Sequence, residues 1–144
     1  MEGLELVLIF IIWMMLLVHA WKSTALEGNR AHEEWAKSRA WEMGLAQSDA
    51  LLFQHNENPW NGCAILDEAK KRTLSYVLDK KCLEKLSEKA SPFVQEVAFE
   101  SLFEKSIFFH RESTPTETCA GILRPTFLNE KNNFGILRVV VCHE

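Results

Sequence analysis

The stretch that decides the fold is Leu6–Ala20, Leu-Val-Leu-Ile-Phe-Ile-Ile-Trp-Met-Met-Leu-Leu-Val-His-Ala, fifteen residues with His19 as the only titratable side chain. Counted from Gly3 to Trp21 the run is nineteen residues. At the rise of an α-helix it spans about 28 Å, close to the hydrocarbon thickness of a bilayer. Trp21 and Lys22 follow it, an aromatic ring and a snorkelling cation suited to a headgroup boundary. A single core helix of a soluble protein seldom carries so long an unbroken run of bulky apolar residues. A cleavable secretory signal needs a basic start and a small-x-small exit, whereas this segment starts Met-Glu-Gly and leaves through His-Ala-Trp-Lys. A single membrane span is expected. Glu5, one turn inside the apolar end, is costly there unless it reaches the headgroups or meets a positive group.

Downstream of Lys22 no proline occurs before Pro59, and Ala, Leu, Glu, Lys, Arg, Met and Gln dominate as far as Gln54. Ala36, Ala40, Met43, Ala46, Ala50 and Phe53 recur at steps of three and four, which sets a stripe of mostly small residues on one face. One helix of about fifty residues, near 75 Å long, is predicted, with a bend at Gly28. The motif His32-Glu33-Glu34-Trp35 lacks the second His of a zinc-protease helix and reads as a solvated face.

From Asn56 to Gly62 turn formers end the helix. The expected organisation is residues 1–22 as a membrane or filament-core helix, 23–55 as its continuation, and 56–144 as a globular head. Within the head Asp79 caps a short helix, Lys80 to about Ala90, closed by Pro92. Val97, Phe99, Ser101 and Phe103 alternate as a strand, with Ser106–Arg111 as its hairpin partner. Cys119–Leu128 and Phe134–Cys142 form a C-terminal hairpin, and Pro125 implies an edge or a bulge. The fold class is α+β, with the distal half of the long helix packed on a small antiparallel sheet of three to five strands.

The four cysteines are Cys63, Cys82, Cys119 and Cys142, and none has a CxxC spacing. If Leu128 faces Asn133 in the hairpin, Cys119 falls opposite Cys142, leaving Cys63 with Cys82. Two disulfides, free buried thiols, and a metal site using His143 are the alternatives. Disulfides favour an extracytoplasmic head. Lys22, Arg30, Lys37 and Arg39, following a segment with no base before it, favour the opposite orientation. The cysteines carry the choice, and the head is expected outside the cell.

Sixteen basic and twenty acidic residues give a formal charge of −4; with Glu2 and Glu5 set aside, the part after Ala20 carries −2. No basic stripe marks a nucleic-acid binder. No Gly-rich phosphate loop, nucleophile elbow or paired His at helical spacing points to an enzyme, and no cofactor motif is present.

Gly3-Leu4-Glu5-Leu6-Val7-Leu8-Ile9, at the head of a helix of about fifty residues that ends in a small β-domain, resembles the start of type IV pilins and of archaeal class III signal-peptide proteins. Ser48-Asp49-Ala50-Leu51-Leu52, Asn58-Pro59-Trp60-Asn61-Gly62-Cys63-Ala64, Lys71-Arg72, Val77-Leu78-Asp79, and the ending Cys119-Ala-Gly-Ile-Leu-Arg-Pro with Gly135-Ile-Leu-Arg-Val-Val-Val-Cys142 are similar to small archaeal pilin-like membrane proteins. The resemblance implies a cell-membrane subunit that assembles with copies of itself or related pilins into an extracellular filament, and meets lipid before assembly. Its assembly residues would be Glu5, Leu6, Ile9, Trp13 and Leu16, with Glu5 setting the register against a neighbour's amine. The alternative is a bitopic accessory subunit that binds a partner protein and never polymerises.

Overall fold

A computed structural model describes residues 2–89, 91, 93–129 and 133–143, with backbone only for residues 2–6. The chain divides into two compact units, Met1–Trp35 and Ala36–Glu144. One helix, α1 (Glu2–Phe53), supplies the first unit and enters the second; Gly28 does not interrupt it.

In the second unit the chain forms β1 (Ala64–Asp67), β2 (Arg72–Leu78), α2 (Lys80–Glu84), β3 (Val94–Ser101), β4 (Lys105–His110), β5 (Thr118–Leu128) and β6 (Asn133–His143). All six strands lie in one sheet, ordered β1-β2-β5-β6-β3-β4, on which the Ala36–Phe53 part of α1 packs. The class is α+β. The sheet departs from the expected antiparallel one of three to five strands, because β2 and β5 run parallel, paired at Val77–Phe127 and Leu78–Leu128. A parallel pair needs a long crossover, here residues 79–117, and short-range alternation carries no trace of such a pairing. The β1–β2 hairpin escaped notice because its ladder shifts register between Ala64 and Ile65, breaking the two-residue period.

The core forms where period-two strands meet the helix. Leu137, Val139 and Val141 of β6, Val97 and Phe99 of β3, and Leu51 and Leu52 of α1 are all buried together. The stripe of α1 that docks differs from the one read from sequence. Ala36, Ala40, Gly44, Ser48 and Leu52 are buried at strict steps of four, while Ala46 and Phe53 are exposed and Ala50 half-buried. Steps averaging less than 3.6 wander off the contact after Met43, and a helix lying along a twisted sheet follows its four-residue ridge instead. Gly44 makes the closest approach: a Cβ there would stand 2.7 Å from Ile122 Cγ1. Arg124 of β5 fixes the register, donating to Asp49 Oδ1 at 2.6 Å and to Ser48 Oγ at 3.4 Å.

The turn after α1 is built by its motif. Asn58 Oδ1 accepts from Trp60 N at 3.4 Å, opening a 3-10 turn over Pro59–Asn61. The Trp60 ring is buried edge-on against Phe109 and its Nε1 donates to Lys89 O at 2.8 Å. Gly62 lies so near the Gln54 carbonyl that any Cβ would strike it. Asp79 caps α2 by accepting from Lys81 N at 3.1 Å, but the α-helix stops at Glu84 and continues as a 3-10 turn, Lys85–Glu88, rather than reaching Ala90. Ala90 and Pro92 lie outside the described residues. Strand β3 ends at Ser101, two residues short of the predicted Phe103, because the Ser101 hydroxyl accepts from the Phe103 and Glu104 amides and turns the chain.

Pro125 sits inside β5 without breaking it. Cys142 N donates to Phe93 O, away from β5, so Cys119–Cys142 is a non-hydrogen-bonded pair, and Pro125, six residues on, has the same phase. Its missing N–H would therefore point toward β2, whose pairing with β5 begins only at Phe127. At that position β5 is an edge.

Candidate functional site

The first unit is apolar along its membrane-length stretch and uncovered. Every side chain from Val7 to Val18 is exposed, and the helix is long and apolar enough to cross a membrane. Ile9, Trp13 and Leu16, at steps of four and three, fall on one face and are all exposed; the side chains of Glu5 and Leu6 lie outside the described residues. The structure does not set that face apart from its neighbours, since Phe10, Met14 and Met15 are equally open. Exposed apolar surface of this kind is unfavourable in water at about 25 cal/mol per Å². Thr24 donates from Oγ1 to Ala20 O at 2.6 Å, which satisfies its hydroxyl inside the helix beside Trp21 and Lys22.

In the second unit the four cysteines form two disulfides, Cys63–Cys82 with Cα atoms 5.5 Å apart and Cys119–Cys142 at 4.0 Å. No thiolate is left for a metal, and among the described residues no three His, Cys, Asp or Glu side chains are placed to share one. Cys63–Cys82 ties the exit of α1 to α2. Cys119–Cys142 joins β5 to β6 in a ladder where Leu128 pairs with Asn133.

The titratable groups form local ties. Glu96 pairs with Arg138 across β3–β6, and its other oxygen lies 3.5 Å from His110 Nδ1. Glu117 accepts the Thr114 N–H at 2.9 Å and pairs with Arg111 at the same distance; the amide first, then the guanidinium, hold its carboxyl below the usual carboxylate range. Both groups tie neighbouring strand and loop segments together.

Sequence reasoning missed a second exposed apolar region, on the face of the sheet turned away from α1. Leu123, Phe127, Phe134 and Ile136 are all substantially open there, and the β3–β4 turn exposes Leu102 and Phe103. The alternation of β5 and β6 placed apolar residues on both phases, which was the available signal.

No protein-family model, curated protein or solved structure matches the chain.

Proposed function

We propose that this chain is a structural subunit of an extracellular type IV pilus-like filament, anchored in the cell membrane by its N-terminal helix before assembly and packed through that helix afterwards. The observation that carries the reading is the continuity of α1: one helix holds an uncovered apolar stretch, Val7–Val18, and then docks on a disulfide-bonded α+β head. Lipid solvates the apolar stretch in the membrane, and neighbouring helices solvate it in a filament core. The two disulfides support a head in an oxidising compartment. Glu5 enters as the register residue, pairing its charge with a neighbour's amine in apolar surroundings where an unpaired carboxylate is disfavoured.

The test is incorporation. Surface filaments purified from cells carrying the native chain should contain it by mass spectrometry. The Glu5→Ala variant should drop out of filaments while still reaching the membrane. A chain found only as a membrane monomer, with Glu5→Ala indistinguishable from native, would instead be the accessory anchor.

A further inference from the structure

The outer face of the sheet ends in a tip and a groove. In the β5–β6 ladder Phe127 stands opposite Phe134, with ring centroids 5.0 Å apart, and Pro125 opposite Ile136. Beside them the β3–β4 turn carries Leu102 and Phe103 at 95% and 92% exposure, the most open large apolar side chains among the described residues. That turn is held in one shape: the Ser101 N–H donates to Glu104 O at 2.8 Å, and the Ser101 hydroxyl accepts from the Phe103 and Glu104 amides at 3.3 and 3.1 Å. Between the turn and the sheet lies a groove of about 1320 Å³, floored by Phe134, Ile136 and Leu123.

Three properties decide the occupant. The six side chains Leu102, Phe103, Leu123, Phe127, Phe134 and Ile136 present on the order of 700 Å² of apolar surface, above the largest patch of an ordinary monomer and close to one partner's share of a standard interface. The charges around them are mixed in sign, Glu96, Glu100 and Glu104 beside Lys105 and Arg138, with Arg138 tied to Glu96. An anionic lipid surface or a nucleic acid would call for an excess of bases, which this face lacks; a surface that carries both signs beside its apolar patch offers each charge a counterpart on a second copy. Finally, knob and hole lie on one surface, as a two-fold contact requires, and the pinned turn loses little freedom on binding.

We propose that this face binds a second copy of the chain through a two-fold contact, in which Phe103 of each copy enters the groove over Phe134 and Ile136 of the other. The contact goes beyond the filament reading and does not depend on it, since it uses the head and not the apolar helix.

The experiment uses the full chain reconstituted at one copy per lipid nanodisc, so that the apolar helices of two copies are kept apart and any pairing runs through the heads. Sedimentation should show paired discs at roughly 100 μM, and Phe103→Asp or Phe134→Asp should each weaken pairing about tenfold or more. Both positions are exposed, so near-UV circular dichroism of each variant should match the native head. A photo-crosslinking phenylalanine analogue at position 103, in mixed light and heavy isotope copies, should join peptides containing residues 134–136 of the other copy. Discs that stay single at that concentration, pairing indifferent to both variants, or crosslinks that run to lipid would overturn the proposal. Single discs from a chain that still enters filaments would remove this contact and leave the filament reading standing; paired discs from a chain absent from filaments would do the reverse.

Discussion

Two stretches of α1 follow opposite rules. From Val7 to Val18 the side chains are bulky, apolar and exposed; from Ala36 to Leu52 the ones that are covered are mostly small, Ala36, Ala40, Gly44 and Ser48, with Leu51 and Leu52 added at the end. Hydrophobicity alone would have placed the core in the first stretch. Close approach of a helix to a sheet demands small side chains, because interaxial distance is set by what stands between backbones. The bulky stretch is the one that the protein's own fold leaves open. The comparison teaches that the apolar count locates the environment of the helix, and side-chain size locates its contact with the protein's own sheet.

The largest test of that contrast is truncation of one leucine in each stretch. Leu52→Ala removes a fully buried side chain from the core and should cost the head about 2 to 5 kcal/mol, read as a lower guanidinium midpoint by near-UV circular dichroism in detergent. Leu16→Ala removes as many atoms from an uncovered position and should leave that midpoint unchanged within about 0.5 kcal/mol. Equal losses would abolish the division between the stretches.

A smaller effect comes from the disulfides, both of which lie in the second unit. Replacing Cys63 and Cys82 together by Ser should destabilise the head by about 3 kcal/mol on the chain-entropy account. The corresponding change at Cys119 and Cys142 should cost nearly the same, because separations of 19 and 23 residues differ little on a logarithmic scale. Helicity of the first unit in micelles should not respond to either. A fall in helicity there on reduction, seen by amide exchange of residues 7–30, would mean that the apolar stretch borrows its order from the head.

The parts of this fold legible in the sequence are those written in short-range periods. The Leu6–Ala20 run, the helix through Gln54 and the long β5–β6 alternation all specify themselves locally. The parallel β2–β5 pairing and the β1–β2 hairpin did not, since one depends on a crossover of nearly forty residues and the other on a ladder with shifted register. Asp49–Arg124 joins residues 75 apart and has no sequence signature at all. Of the residues proposed for assembly, Ile9, Trp13 and Leu16 belong to a uniformly apolar run, so their face rests on helical geometry alone. The open sheet face was written in β5 and β6 but obscured, because Leu123, Phe127, Phe134 and Ile136 look like core residues until their phase against Leu137 and Val139 is known.

The finest test uses two glycines of the one helix, which local propensity treats alike. Each lowers helix stability by roughly 1 kcal/mol relative to alanine, so propensity predicts that Gly28→Ala and Gly44→Ala both stabilise. The surroundings differ. Nothing lies within 4 Å of a Cβ at Gly28, and alanine there should gain about 0.5 to 1 kcal/mol, visible as slower amide exchange around residues 24–32. A Cβ at Gly44 would press on Ile122 Cγ1 at 2.7 Å and stand 3.8 Å from Val141. Ile122 is buried and β-branched, with few rotamers to escape into, so overpacking of roughly 1 to 3 kcal/mol outweighs the propensity gain. The expected net result is a loss of about 1 kcal/mol from the head. Opposite signs for the two substitutions would follow from a helix that is open at Gly28 and closely packed at Gly44. A gain at Gly44 would instead mean that α1 rides higher on β5 than the Asp49–Arg124 bond of 2.6 Å permits, and the small-residue contact would lose its physical basis.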